Sequence, residues 1–80
     1  MDVEKEFKEI VADIFRVDAG KLKGSTRFVE DLNAKSIDII ALIAATENKF
    51  GIKAPSGETR ENRTIKQAID YIKKKLKAKK

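Results

Sequence analysis

Apolar residues recur at helical spacing in three stretches of this chain. Val3, Phe7, Ile10, Val11, Ile14 and Phe15 fall at steps of three, four and one, while Glu4, Lys5, Lys8, Glu9 and Asp13 occupy the opposite side. That spacing predicts an amphipathic helix over about 3–15, with its early acids suited to the helix dipole. A second apolar stretch predicts a helix over about 36–50, stopped by Gly51 at a position where helices commonly take a left-handed residue. A third helix is expected over about 64–76. Thr64 and Gln67 have the spacing of a capping box, and Ile65, Ala68, Ile69, Ile72 and Leu76 form its buried stripe. Between the first two helices lies a long loop. Gly20 and Gly24 punctuate it, Ser25-Thr26 suit a turn, and Leu22 and the pair Phe28-Val29 are read as core anchors. Residues 52–63 carry Pro55, Gly57 and many polar side chains, so at most one short helix is expected there, near 56–61. No stretch alternates as a strand would, and no repeat is visible. The expected architecture is all-α: a small bundle of three main helices plus a short one.

Eighty residues make one domain, 1–80, with a thin core. The net charge of +5 looks basic until it is located. Residues 73–80 hold six lysines, and the other 72 residues hold 12 Lys or Arg against 13 Asp or Glu. The basicity belongs to a lysine-rich C-terminal tail, expected to be a solvated helix end. No apolar run approaches the ~20 residues of a membrane span. The first six residues are charged and unlike a signal peptide, so a cytoplasmic protein is expected. There is no Cys and no His, which excludes disulfides, thiolate metal sites and Ser-His or Cys-His nucleophile pairs. Glu30-Asp31 reads as an ordinary surface pair, not an acid/base dyad. Function is therefore expected to come from binding or carrying, not from catalysis, and no metal site is expected.

The second helix has more apolar surface than a small bundle can cover. At 100° per residue, Ile39, Leu42, Ile43, Thr46 and Phe50 form a stripe for the core. Ile37, Ile40, Ala41 and Ala44 fall on a different side, which reads as a docking face for a partner. Ser36 opens this helix. One reading makes it an N-cap, its hydroxyl accepting from a backbone N–H. The other makes the same oxygen the attachment point of a phosphodiester, which the unpaired N–H groups and positive dipole end of a helix N-terminus would tolerate. The chain has no base to activate Ser36, so an outside enzyme would have to modify it.

Several landmarks stand in order: Phe28-Val29-Glu30-Asp31-Leu32, then Ser36-Ile37-Asp38 opening a helix, then Phe50-Gly51-Ile52, Pro55, and Ala68-Ile69-Asp70-Tyr71-Ile72. In these the chain resembles the acyl carrier proteins over roughly residues 4–74. The resemblance implies attachment of 4′-phosphopantetheine, taken from coenzyme A, at Ser36, with Lys35 and Asp38 beside it. It implies an acyl group held as a thioester, in fatty acid or related lipid or polyketide biosynthesis. It implies partners: a phosphopantetheinyl transferase, and the synthases, ligases or acyltransferases that process the acyl group. These would meet the second helix at Ile37, Ile40, Ala41, Ala44 and Glu47. Acyl chains in this family can fold back between the helices.

Departures from the family pattern are specific. Lys35 stands where the family usually has Asp, and Asn33 where it usually has Gly. The second helix keeps only Asp38 and Glu47 as acids, which implies docking steered less by charge. Thr46 takes a core position where the family favours Leu, and Ala54 and Asn62 replace larger aliphatics. Such losses cost about 2–4 kcal/mol each in a packed core, so a loosely held segment 56–63 is expected. Three alternatives stay open: a peptidyl carrier with an aminoacyl cargo, an unmodified interaction module that kept the fold, and, least favoured, a nucleic-acid binder resting on the lysine tail alone. No DNA partner is expected. A monomer is expected, since no heptad seam is present.

Overall fold

The computed structural model describes residues 2–59 and 61–78, Ser56 by its backbone alone. Four helices succeed one another: α1 (Val3–Phe15), α2 (Ser36–Phe50), the single-turn α3 (Ser56–Thr59) and α4 (Ile65–Ala78). A 3-10 turn, Ala19–Lys21, interrupts the long first loop, and no strand occurs among the described residues. The three main helices agree with the periodicity of the sequence, and the short one falls within the stretch 56–61 where a single short helix was expected. No helix among the described residues is long and apolar enough to cross a membrane.

Each main helix begins and ends for a local reason. Asp2 caps α1, its carboxylate accepting from the Lys5 N–H at 3.1 Å. Arg16 closes α1 in the left-handed region at φ 56°, and Gly51 closes α2 at φ 63°. At α4 the capping box forms in full. Thr64 Oγ1 accepts from the Gln67 N–H at 3.2 Å, and Gln67 Oε1 accepts from the Thr64 N–H at 3.1 Å. The same Oε1 also accepts from the Arg63 N–H at 2.7 Å. Helix α4 continues through Ala78, so the first part of the lysine run is helical; Lys79 and Lys80 lie outside the described residues.

The core gathers Phe7 and Val11 of α1, Leu42 and Phe50 of α2, and Ile65, Ile69 and Ile72 of α4. Leu22 and Phe28 reach it from the first loop, as expected of anchors. Phe28 meets Phe7 edge to face, with ring centroids 6.3 Å apart. Val29 does not join the core. It is 60% exposed, because the chain turns immediately after Phe28 and can send only one of two adjacent side chains inward.

Three backbone hydrogen bonds fasten the first loop to the start of α4. The Phe28 N–H donates to the Arg63 carbonyl at 3.1 Å, the Ile65 N–H to the Thr26 carbonyl at 3.0 Å, and the Lys66 N–H to the Gly24 carbonyl at 2.9 Å. The first two flank an isolated antiparallel bridge between Arg27 and Thr64. This tie satisfies two N–H groups at a helix start that would otherwise lack partners. It also fixes the chain that leads into α2.

Candidate functional site

The approach to Ser36 is a wound segment, not a slack loop. The Asp31 carboxylate accepts from the Arg27 N–H at 2.8 Å and pairs with the Arg27 guanidinium at 3.4 Å. The Arg27 N–H and side chain together hold the Asp31 pKa below its ordinary value, and hydrogen bonding to Asp31 holds that of Arg27 above its own. Leu32 and Asp31 donate back to the Arg27 carbonyl, Asn33 to that of Val29 and Ala34 to that of Phe28. Asn33 adopts φ 58°. Asn is the residue besides Gly that most readily enters the left-handed region, which explains how Asn33 serves at a position where glycine was expected.

The structure moves the helix cap by one residue. Lys35, in extended conformation, is the N-cap of α2, and Ser36 is its first helical residue. The hydroxyl of Ser36 is therefore not the cap. Asp38 takes the capping work instead, its Oδ2 accepting from the Lys35 N–H at 3.0 Å. The helix ladder opens with Ile39 donating to the Lys35 carbonyl at 3.0 Å, so the N–H groups of Ser36, Ile37 and Asp38 lie ahead of it. Ser36 is exposed, and so is Lys35, whose ammonium pairs with no carboxylate among the described residues. An exposed hydroxyl, free helix N–H groups and an uncommitted cation together suit a phosphodiester. The residues present thus fit a phosphate-linked group at this position.

The second face of α2 is open. Ile37 is 73% exposed and Ile40 67%, and Ala41 and Ala44 are exposed beside them. Neither the long loop nor α3 covers them. Glu47 occupies a different position. It is half-buried, and its Oε2 accepts from the Ala54 N–H at 2.7 Å, holding the chain after α2 in place. Nothing along the chain signals this role, since Ala54 is seven residues away and in irregular chain.

The inward stripe of α2 borders a cavity of about 60 Å³. Ile39, Leu42, Ile43 and Thr46 line it from α2, Ala54 and Asn62 from the intervening chain, and Ala68, Tyr71 and Ile72 from α4. On the helix wheel Ser36 stands at the boundary between this stripe and the open face of Ile37 and Ile40. A group attached to Ser36 can therefore turn inward or outward.

Helix α3, beside this cavity, is pinned to α4. Tyr71 donates its hydroxyl to Glu58 Oε1 at 2.7 Å, and the Lys75 ammonium approaches the same oxygen at 2.9 Å. Hydrogen bonds from Tyr71 and then Lys75 hold the Glu58 pKa down, while burial and the bond to Glu58 push Tyr71 up to about 12. Two contacts at one carboxylate oppose the expectation that 56–63 is loosely held; Arg60, within that stretch, lies outside the described residues.

The fold and the site define a phosphopantetheine attachment domain, and the family model of that description, "Phosphopantetheine attachment site", matches residues 5–72. The chain belongs to the acyl carrier protein family, and its cofactor is 4′-phosphopantetheine. It is 40% identical over 72 residues to an acyl carrier protein of Helicobacter hepaticus, covering 90% of this chain and 95% of that one. A solved structure of the acyl carrier protein from Enterococcus faecalis has the same fold, with a TM-score of 0.79 at 24% identity over 92% of this chain and 94% of that one.

Proposed function

We propose that Ser36 Oγ is the point at which this carrier takes its phosphopantetheine. The observation that carries the proposal is the exposed hydroxyl at the first residue of α2, flanked by Lys35 and the opening N–H groups of the helix. The chain contains no His or Cys to remove the Ser36 proton, so a base of the transferase takes it while the Oγ–phosphorus bond forms, the pyrophosphate bond of coenzyme A breaks and adenosine 3′,5′-bisphosphate leaves. Once attached, the group supplies a terminal thiol that holds acyl intermediates as thioesters. Lys35 then faces the phosphodiester charge, and Asp38 keeps the helix start in register by holding the Lys35 N–H. In this reading the chain carries and presents, and its partners perform the chemistry.

Those partners dock on Ile37, Ile40, Ala41 and Ala44, a surface that the fold leaves bare. Glu47 stands at the end of this surface with one carboxylate oxygen already engaged, so it contributes charge while its other contact holds the loop. Synthases, ligases or acyltransferases of fatty acid biosynthesis fit this face. A monomer working in the cytoplasm, its single core cluster spanning the chain from Phe7 to Ile72, is the form proposed.

The test is intact mass after incubation with coenzyme A and a broad-specificity phosphopantetheinyl transferase. Wild type gains one phosphopantetheine, and Ser36→Ala gains nothing. A second reading, a module that kept the fold without the arm, is favoured by one observation: Lys35 inverts the charge expected beside the site. Absence of any mass gain with several transferases would decide for that reading.

A further inference from the structure

One side-chain oxygen or nitrogen among the described residues is buried with no hydrogen-bond partner, and it belongs to the cavity wall. Thr46 is 6% exposed, and its Oγ1 bonds to nothing. Such a group is costly in an apolar interior, so an unpaired one calls for a reason. Periodicity places Thr46 in the core stripe of α2, where an aliphatic residue would pack without that cost. The surrounding wall is otherwise apolar on this helix: Ile39, Leu42 and Ile43. Threonine in a helix populates two χ1 rotamers. Rotation exchanges its hydroxyl and methyl positions and can turn the hydroxyl to a guest in the cavity.

We infer that Thr46 selects the cargo: the cavity favours an acyl chain bearing a hydroxyl or keto oxygen over an unsubstituted chain of equal length. This rests on the carrier reading given above. Three features support it. The cavity borders the stripe headed by Ser36, and Thr46 lies ten residues along α2, about 15 Å by the helical rise. An arm attached at the helix start thus has its cargo delivered from one end of that stripe. The cavity of about 60 Å³ holds roughly four water-sized groups, which suits a short chain. A guest oxygen would give Thr46 Oγ1 the partner it lacks, whereas a hydrocarbon guest would leave it unpaired. That asymmetry is the basis of discrimination, since sites built to hydrogen-bond reject analogues that cannot.

The experiment loads the full chain with hexanoyl, 3-hydroxyhexanoyl, 3-oxohexanoyl or 6-hydroxyhexanoyl phosphopantetheine from the corresponding coenzyme A thioesters. Loading is confirmed by intact mass. Two quantities are read: the melting temperature, and the rate of thioester cleavage by hydroxylamine relative to the same thioester on free pantetheine. Wild type should melt higher with at least one oxygenated cargo than with hexanoyl, and protect its thioester about 5–10-fold better, the factor one hydrogen bond provides. Thr46→Val should erase that difference, and Thr46→Ser should keep it. Comparing cargoes within each variant cancels the variant's own change in stability. The inference is overturned if no oxygenated cargo exceeds hexanoyl, or if the preference survives in Thr46→Val. Failure to load any cargo at Ser36 would instead overturn the carrier reading, and mass separates the two results.

Discussion

Asn33 holds a φ of 58° two residues before the N-cap of α2, and the hydrogen bond from the Ala34 N–H to the Phe28 carbonyl depends on that turn. A side chain with a β-carbon enters this region at a cost of about 1–2 kcal/mol, which Asn partly avoids. Asn33→Ala should therefore lower stability by about 1 kcal/mol in urea denaturation, while Asn33→Gly should leave it nearly unchanged. At Thr46 the expected sign is opposite. Thr46→Val removes a buried oxygen without a partner and keeps the volume, so the unloaded protein should gain about 1–2 kcal/mol. Residue identity showed that Asn33 and Thr46 were out of pattern, and periodicity put Thr46 inside. Neither signal disclosed the φ of the first or the missing partner of the second, because both are set by chain path and packing. The N-cap shows the same limit. A serine at the head of an apolar run suits the capping role, but the preceding extended residue, Lys35, took it.

At the scale of the element, α1, α2 and α4 could be read because each has an apolar stripe and a marked end. Helix α3 has four residues and no stripe, and its position depends on a carboxylate thirteen residues from its phenol partner. Tyr71→Phe should loosen it, read as faster amide exchange at Glu58 and Thr59 with little change in α1. The anchoring is also pH-sensitive. The folded-state pKa of Glu58 lies below its ordinary 4.5, so the stabilisation is present above that value and is lost as pH falls through the folded one. Exchange at α3, normalised for its intrinsic pH dependence, should therefore rise as pH falls below the ordinary 4.5 of the unfolded carboxyl in wild type. In Glu58→Gln this acid step should be absent. On the alkaline side the raised Tyr71 works in the reverse sense. Stability should fall between roughly pH 10, where the unfolded chain ionises, and about 12, where the folded one does.

For the molecule as a whole, charge and apolar surface are separated. The lysines of α4 crowd one end, whereas Ile37, Ile40, Ala41 and Ala44 form the open side of α2. If partners meet that open side, acyl transfer by a cognate enzyme should depend weakly on salt. Ile40→Glu should reduce its kcat/KM about 5–30-fold, the loss of one buried aliphatic contact. Converting Lys73, Lys74 and Lys77 to Gln should leave it unchanged. The helix inventory and most of the core were legible, because both follow from apolar spacing. The pairing of residues 24–28 with 63–66 was not, since those segments carry no periodic signal and meet only once the bundle has closed.

That pairing also sets an order of events during synthesis. The carbonyls of Gly24 and Thr26 receive their N–H groups from Lys66 and Ile65, and the Phe28 N–H finds its acceptor on Arg63. A nascent chain that has emerged only as far as Asn62 has made α2 but lacks the clasp that steadies the road into it. Modification by the transferase is thus expected to await the emergence of residues 63–66, so that chains stopped short of them remain uncharged.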